Sequence, residues 1–306
     1  VLQTGSAFEY RDYWVGWSGH DATVVDFAVK NRINVIGFLH SKGRTIDTAI
    51  VDATRTRGAL LRGPGHVWAL LLPEETDFAA CPELLPLING ERTYNGKTLC
   101  FANPKARTIF LEGLRAYLRT NRCWDIFAFW AEDIHLPHYC ECPECAQRDT
   151  ASWYMLLVNE AAAVVEEETP DALFEFIAYH ATRTPPQTPI PLHRNGERMF
   201  FDFCGGYTRD LYSPLADAVG GSADVYCMYR DWMAYLDRIG YRGKRFLMEY
   251  YNLCEGPNQG PRGRSLLWPM DIIRTDTRQY LRDGVNGLGS WICFDRLSFP
   301  TPFNTW

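Results

Sequence analysis

Along this chain, short apolar runs alternate with longer stretches of helical periodicity, and that rhythm restricts the fold more than any single motif. Eight runs read as strands: Tyr13–Trp17, Asn34–His40, Ala59–Arg62, Asp125–Trp130, Phe174–His180, Met199–Cys204, Arg245–Tyr251 and Ser290–Phe294. The third is expected to end in a turn at Gly63-Pro64-Gly65. Helices are predicted over His20–Asn31, from Asn103-Pro104 onward, over Ser152–Glu168 and over Asp224–Ile239. Asn103 is a good N-cap and Pro104 suits the first helical position. Ile109, Phe110, Leu114, Tyr117 and Leu118 then recur at helical spacing.

Strand–helix alternation favours a parallel sheet with right-handed crossovers. Eight such units in 306 residues fit a closed (β/α)8 TIM barrel, an α/β fold, with residues 1–306 as one domain. An open doubly wound sheet fits less well, because no G-x-G-x-x-G or P-loop follows the first strand.

A barrel of this kind gathers its reactive groups where the strands end. Those positions here are Trp17, His40, His66, Glu132 with Asp133, His180, Asp202, Glu249 and Asp295. Glu132 and Glu249 follow the fourth and seventh apolar runs, on opposite sides of the expected mouth. Glycosidic cleavage needs a protonated acid for the leaving oxygen and an ionised carboxylate for the oxocarbenium-like carbon. Two opposed glutamates supply both, with Glu132 as acid/base and Glu249 as nucleophile, and a retaining outcome is expected. Retention requires a separation of about 5–5.5 Å, inversion about 6.5–9.5 Å. The adjacent pair Glu132-Asp133 allows a second scheme, in which one carboxylate orients a 2-acetamido group and the other acts as acid. His66, Trp130, His180, Tyr250 and Trp291 are candidates for contact with sugar. Each has an ordinary packing or capping role as its alternative.

Three thiols, Cys140, Cys142 and Cys145, stand as C-x-C-x2-C in the loop after Glu132-Asp133. That spacing reaches a tetrahedral zinc, with Cys100, His138 or His135 as fourth ligand. A disulfide or free thiols that order the loop are the alternatives. Any such zinc is expected to be structural, since four protein ligands leave no open position, and catalysis requires no cofactor.

Composition narrows the partners. The net charge is −6 and the basic residues are dispersed, against a nucleic-acid binder. No apolar run is long enough to span a membrane. No G-x-S-x-G or H-E-x-x-H occurs. Aromatics make up 14%, with ten Trp, which suits carbohydrate platforms as well as cores. A non-catalytic glycan-binding barrel using Trp17, Trp68, Trp130 and Trp291, stiffened by the cysteine-rich site, is therefore the competing reading. The chain opens at Val1 rather than Met, so an excised or processed piece is expected and its compartment is left open.

Several segments resemble a bacterial domain family that long had no assigned function. They are Gly65-His66 with Leu71-Leu72-Pro73, Leu99-Cys100 with Asn103-Pro104, and Ala178-Tyr179-His180 through Pro185-Pro186. The most specific is Trp130-Ala131-Glu132-Asp133 followed by the cysteine signature. The likeness runs from about Tyr10 to Trp291. It implies a barrel glycosidase near α-glucuronidases and β-hexosaminidases, acting on glycans or glycoproteins. Some members of that family are endo-β-N-acetylglucosaminidases that release complex N-glycans.

Overall fold

Eight parallel strands close into a barrel in sequence order: β1 (Tyr10–Val15), β2 (Val35–Phe38), β3 (Leu60–His66), β4 (Ile126–Trp130), β5 (Leu173–Ala178), β6 (Met199–Cys204), β7 (Lys244–Glu249) and β8 (Gly287–Ile292). Strand β8 pairs back onto β1, with Trp14 opposite Trp291. The computed structural model describes residues 6–15, 22–40, 47–134, 138–205, 213–217, 221–250 and 270–292. Around the barrel lie α1 (Ala22–Lys30), α2 (Thr48–Thr56), the short α3 (Trp68–Leu71), α4 (Pro104–Thr120), α5 (Thr150–Glu168), α6 (Gly221–Arg238) and α7 (Met270–Arg282). The expected (β/α)8 barrel is the fold of this chain. Among the described residues, no helix is long and apolar enough to cross a membrane.

Local chemistry explains the elements. Asn103 caps α4 by accepting from the Lys105 amide, with Pro104 at the first helical position. Asp149 caps α5 by accepting from the Ser152 amide, so that helix starts at Thr150, ahead of the expected Ser152. Strand β1 starts at Tyr10 rather than Tyr13, because the charged residues Arg11 and Asp12 belong to it. The turn expected at Gly63-Pro64-Gly65 is instead part of β3, paired residue by residue with β4. Gly65 takes φ +85° there, a backbone conformation that strains any residue with a Cβ, and a Cβ would also press on Leu39 Cδ2 at 2.5 Å.

Inside the barrel, alternate strand positions stack in three layers. Val35, Ile126, Phe200 and Phe246 fill the N-terminal end. Trp14, Leu39, Trp130, Ile177, Cys204 and Met248 fill the C-terminal end, with Tyr179 and Tyr250 above them. The middle layer is charged. Arg62 of β3 forms a bidentate pair with Glu175 of β5, both contacts 2.5 Å, and also bonds Asp12 of β1 and Asp202 of β6. All four are buried. Asp202, expected at a strand end on the reactive face, is thus a mid-strand residue of the interior ion network. It was placed at the mouth because its partners, on three other strands, are remote in sequence.

Candidate active site

Strand β4 is buried along its whole length, from Ile126 to Trp130. Where it ends, the chain turns over the top of β3, and the Val67 amide bonds the Trp130 carbonyl. This turn carries Glu132 and Asp133 to the C-terminal mouth. Glu132 bends back, and its Oε1 accepts from the Ala69 amide at 2.9 Å, at the start of α3. Burial pushes its carboxyl above the usual carboxylate range and the charge of Asp133 adds to the effect. The Ala69 amide, His66 and Lys97 oppose it. Asp133 points to solvent, with its side chain 53% exposed.

Two imidazoles converge on Asp133. His66, the last residue of β3, lies with Nε2 3.6 Å from Asp133 Oδ1, and His180, just beyond β5, at 3.4 Å. The His66 Nδ1 is 2.5 Å from the Ala131 carbonyl, which can only accept, so Nδ1 carries the proton. His180 has φ +47°, a left-handed backbone conformation uncommon for a residue with a Cβ, and its ring lies against Tyr179 with centroids 3.9 Å apart. Lys97 donates to the Asp133 carbonyl at 3.0 Å. Three strand ends, of β3, β4 and β5, therefore build one polar patch.

The other expected residues fall elsewhere. Glu249 ends β7 as expected, but Phe246 and Met248 occupy the interior layers, so strand alternation turns Glu249 outward. It is 5% exposed and accepts a hydrogen bond from the Tyr280 hydroxyl of α7. Glu132 and Glu249 thus do not face each other across the mouth. Reading the strand end fixed the height of Glu249 and missed its direction, although alternation with Phe246 and Met248 was available in the sequence.

Trp130 is 1% exposed and donates from Nε1 to Glu175 at 2.6 Å, and Trp68 is fully buried among Phe101, Phe110 and Tyr139. Neither is a sugar platform, because each indole fills the interior. Tyr250 sits above the barrel with its hydroxyl 3.5 Å from Cys204 Sγ, and burial pushes it well above the usual phenol range. His40 lies 2.7 Å from the Tyr117 hydroxyl, away from the Asp133 patch. Trp17, His135, Asp295 and the side chain of Trp291 lie outside the described residues.

The charged partners Asp12, Arg62 and Glu175 were missed altogether. Their signal is a lone charge inside an apolar strand, as in Phe174-Glu175-Phe176, which a parallel barrel buries on either face.

The cysteine signature is brought together with Cys100. The sulfurs of Cys100, Cys140, Cys142 and Cys145 lie within 4.8 Å of one another, and all four residues are buried. His138 is turned instead to Thr150 Oγ1, at 3.5 Å.

The profile of a family described as a domain of unknown function (DUF4838) matches residues 2–220. No protein of curated function matches the sequence. Among solved structures, the chain is similar to endo-glycoceramidase II from Rhodococcus sp., with 13% identity and a TM-score of 0.52, covering 93% of this chain and 73% of that one. It is also similar to a broad-specificity GH5-4 endoglucanase from an uncultured bacterium, at 8% identity and TM-score 0.53 over 94% and 87% of the two chains. A β-galactosidase from Halorubrum lacusprofundi gives 12% identity and TM-score 0.56, over 95% of this chain and 54% of that one, so the chain spans about half of that protein. At these identities the likeness is one of fold.

Proposed function

This chain belongs to the DUF4838 family, and from its barrel and its mouth we propose that it is a glycoside hydrolase whose catalytic pair is Glu132 and Asp133. The observation that carries the reading is the division of environment within that pair. Glu132 is partly buried, and burial raises its carboxyl, an environment that suits the acid for a leaving oxygen. Asp133 is exposed between His66 and His180, and serves as the ionised partner. Adjacent carboxylates with unlike roles suit cleavage assisted by the substrate's own 2-acetamido group. The acetamido oxygen attacks the anomeric carbon, Asp133 orients and stabilises the acetamido group, and Glu132 protonates the departing oxygen. Glu132 then takes a proton from the water that opens the ring intermediate, and the anomeric configuration is retained after two inversions.

This scheme is favoured over a Glu132–Glu249 pair because Glu249 is turned to α7. It points to a β-linked N-acetylhexosamine at the cleavage site. The Glu132-Asp133 and cysteine segments resemble a domain family with some endo-β-N-acetylglucosaminidase members, which makes complex N-glycans on glycoproteins the first substrate to test. The left-handed backbone at His180 supports the site as well, since strain of this kind is held where geometry matters for function.

The test is glycan release from a complex N-glycoprotein, followed by mass spectrometry, with Glu132→Gln, Asp133→Asn and Glu249→Gln in parallel. Loss of release in the first two, with Glu249→Gln retaining turnover in its folded fraction, supports the assignment. Full activity in both Glu132→Gln and Asp133→Asn would sink it. Loss confined to Glu132→Gln and Glu249→Gln would restore the two-glutamate scheme.

A further inference from the structure

Two separate segments deliver the four thiols to one point. Cys100 comes from the turn before α4, and its amide is tied to the Leu84 carbonyl at 2.8 Å. Cys140, Cys142 and Cys145 come from the loop between β4 and α5. A two-stranded ribbon, Leu87–Ile88 with Glu91–Arg92, closes over them. The thiols lie 5% exposed or less, yet none is joined to another, and all four are free.

The spacings discriminate between the available explanations. A disulfide needs sulfurs about 2.05 Å apart. Here Cys100 Sγ lies 3.6 Å from Cys142 Sγ and 3.8 Å from Cys145 Sγ. Four sulfurs about 2.3 Å from one tetrahedral zinc are about 3.8 Å from each other, the edge of that tetrahedron. An iron–sulfur cluster would place bridging sulfides between the thiolates and spread them further apart. Ordinary hydrophobic packing of cysteines does not explain the donors aimed at the sulfurs. The Leu87 amide points at Cys140 Sγ at 3.2 Å, and the Cys145 amide at Cys142 Sγ at 3.4 Å. The Arg92 guanidinium approaches Cys140 Sγ at 3.9 Å while bonding the Leu85 carbonyl at 2.6 Å. Amide and guanidinium donors of this kind offset the negative charge that four thiolates keep after binding a divalent ion.

We propose that Cys100, Cys140, Cys142 and Cys145 hold one structural zinc ion, which fastens the β4–α5 loop to the start of α4. Four protein sulfurs fill the coordination sphere, so the ion binds no substrate and activates no water. Its work is mechanical: the loop it fastens is the one that leaves the Glu132-Asp133 turn.

The full chain, purified without chelator, is expected to contain about one zinc per molecule by elemental mass spectrometry. Cobalt exchanged into it is expected to give the strong visible bands of a tetrahedral ion, with thiolate charge-transfer absorption in the near ultraviolet. Cys142→Ser should lower metal content and weaken both signals, while Cys227→Ser, on the exposed face of α6, should leave them intact. Because the content of the unmutated chain is read first, a Cys142→Ser chain that fails to fold does not rescue the idea. Absence of zinc after growth in zinc-supplemented medium, iron in its place, weak octahedral cobalt bands, or equal metal content in Cys142→Ser would each overturn it.

Discussion

Two sets of acidic side chains, one inside the barrel and one at its mouth, are held in opposite ways. In the middle layer, Asp12, Glu175 and Asp202 surround a single guanidinium, with contacts to Glu175 of 2.5 Å and all four residues buried. The Arg62 guanidinium also lies 5.0 Å from the Trp14 ring and 5.2 Å from Phe246, which fix its plane. At the mouth, Asp133 is half exposed and its imidazole partners stand 3.4 and 3.6 Å away. The inner set is over-determined by strands, while the outer set hangs on turns and one left-handed residue. Charges locked between strands cannot follow a reaction. Charges held loosely beside solvent can change protonation and admit a ligand.

That contrast is tested most severely by Arg62→Leu. Removing the one cation leaves three buried carboxylates without a counter-charge, and losing one member of a buried pair already costs about 3–5 kcal/mol. Against a total stability of about 5–15 kcal/mol, the variant is expected to be unfolded or barely folded, as read by circular dichroism and urea titration. A variant with wild-type urea midpoint would show that the network is incidental. Glu132→Gln is the mirror experiment. It should lower turnover about 10²–10⁴-fold while leaving the urea midpoint nearly unchanged, since a half-buried amide can still accept from the Ala69 amide. A large loss of stability with unchanged specific activity would move Glu132 from chemistry to architecture.

The sequence exposed these two sets unequally, for a physical reason. Glu132-Asp133 stands at the end of the most apolar strand, Ile126 to Trp130, and any parallel barrel delivers that position to its mouth. The Asn103-Pro104 helix start and the strand Met199–Cys204 were legible because their signals are local, a cap and an apolar run interrupted by Asp202 alone. The inner network was not, because Asp12, Arg62, Glu175 and Asp202 meet only once the barrel closes and turns four of its strands toward one interior. Arg11 and Asp12 even pushed the expected start of β1 inward. Glu249 shows a subtler limit: position along a strand says how high a side chain sits, and only the parity of its neighbours says which way it faces. The interior neighbours Phe246 and Met248 set that parity and turn Glu249 toward α7.

A smaller effect sharpens that last point. Tyr280 is fully buried on α7, and its hydroxyl is a donor to Glu249. Tyr280→Phe keeps the ring and removes the donor, leaving a buried carboxylate short of one hydrogen bond, at a cost of about 1–3 kcal/mol. Thermal unfolding should register it, and the turnover of the folded protein should not change. If activity falls while stability holds, Glu249 belongs to the chemistry after all.

The finest test concerns pH. Burial raises Asp12 to about 6 and Asp202 to about 7, outweighing the attraction of Arg62, which acts in the other direction. In the unfolded chain both carboxyls titrate near 3.9. Between about pH 4 and pH 7 the folded barrel therefore binds protons that the unfolded chain has released. Stability from these groups is complete below about pH 4 and is lost as pH rises through about 6 and 7, the reverse of a surface carboxylate in a salt bridge. Asp202→Asn removes the more strongly raised member while keeping shape and an acceptor for Arg62. Unfolding free energies from urea titrations at pH 5 and pH 8 should lie closer together in this variant than in the wild type, by roughly 2–3 kcal/mol. Activity should keep its pH profile if, as proposed, Glu132 and Asp133 outside the network set it. An unchanged gap between the two free energies would mean that Asp202 is ionised throughout and that Arg62 compensates all three carboxylates. A shifted activity profile would mean that the inner and outer sets are coupled through Trp130, whose indole bonds Glu175 beneath the mouth.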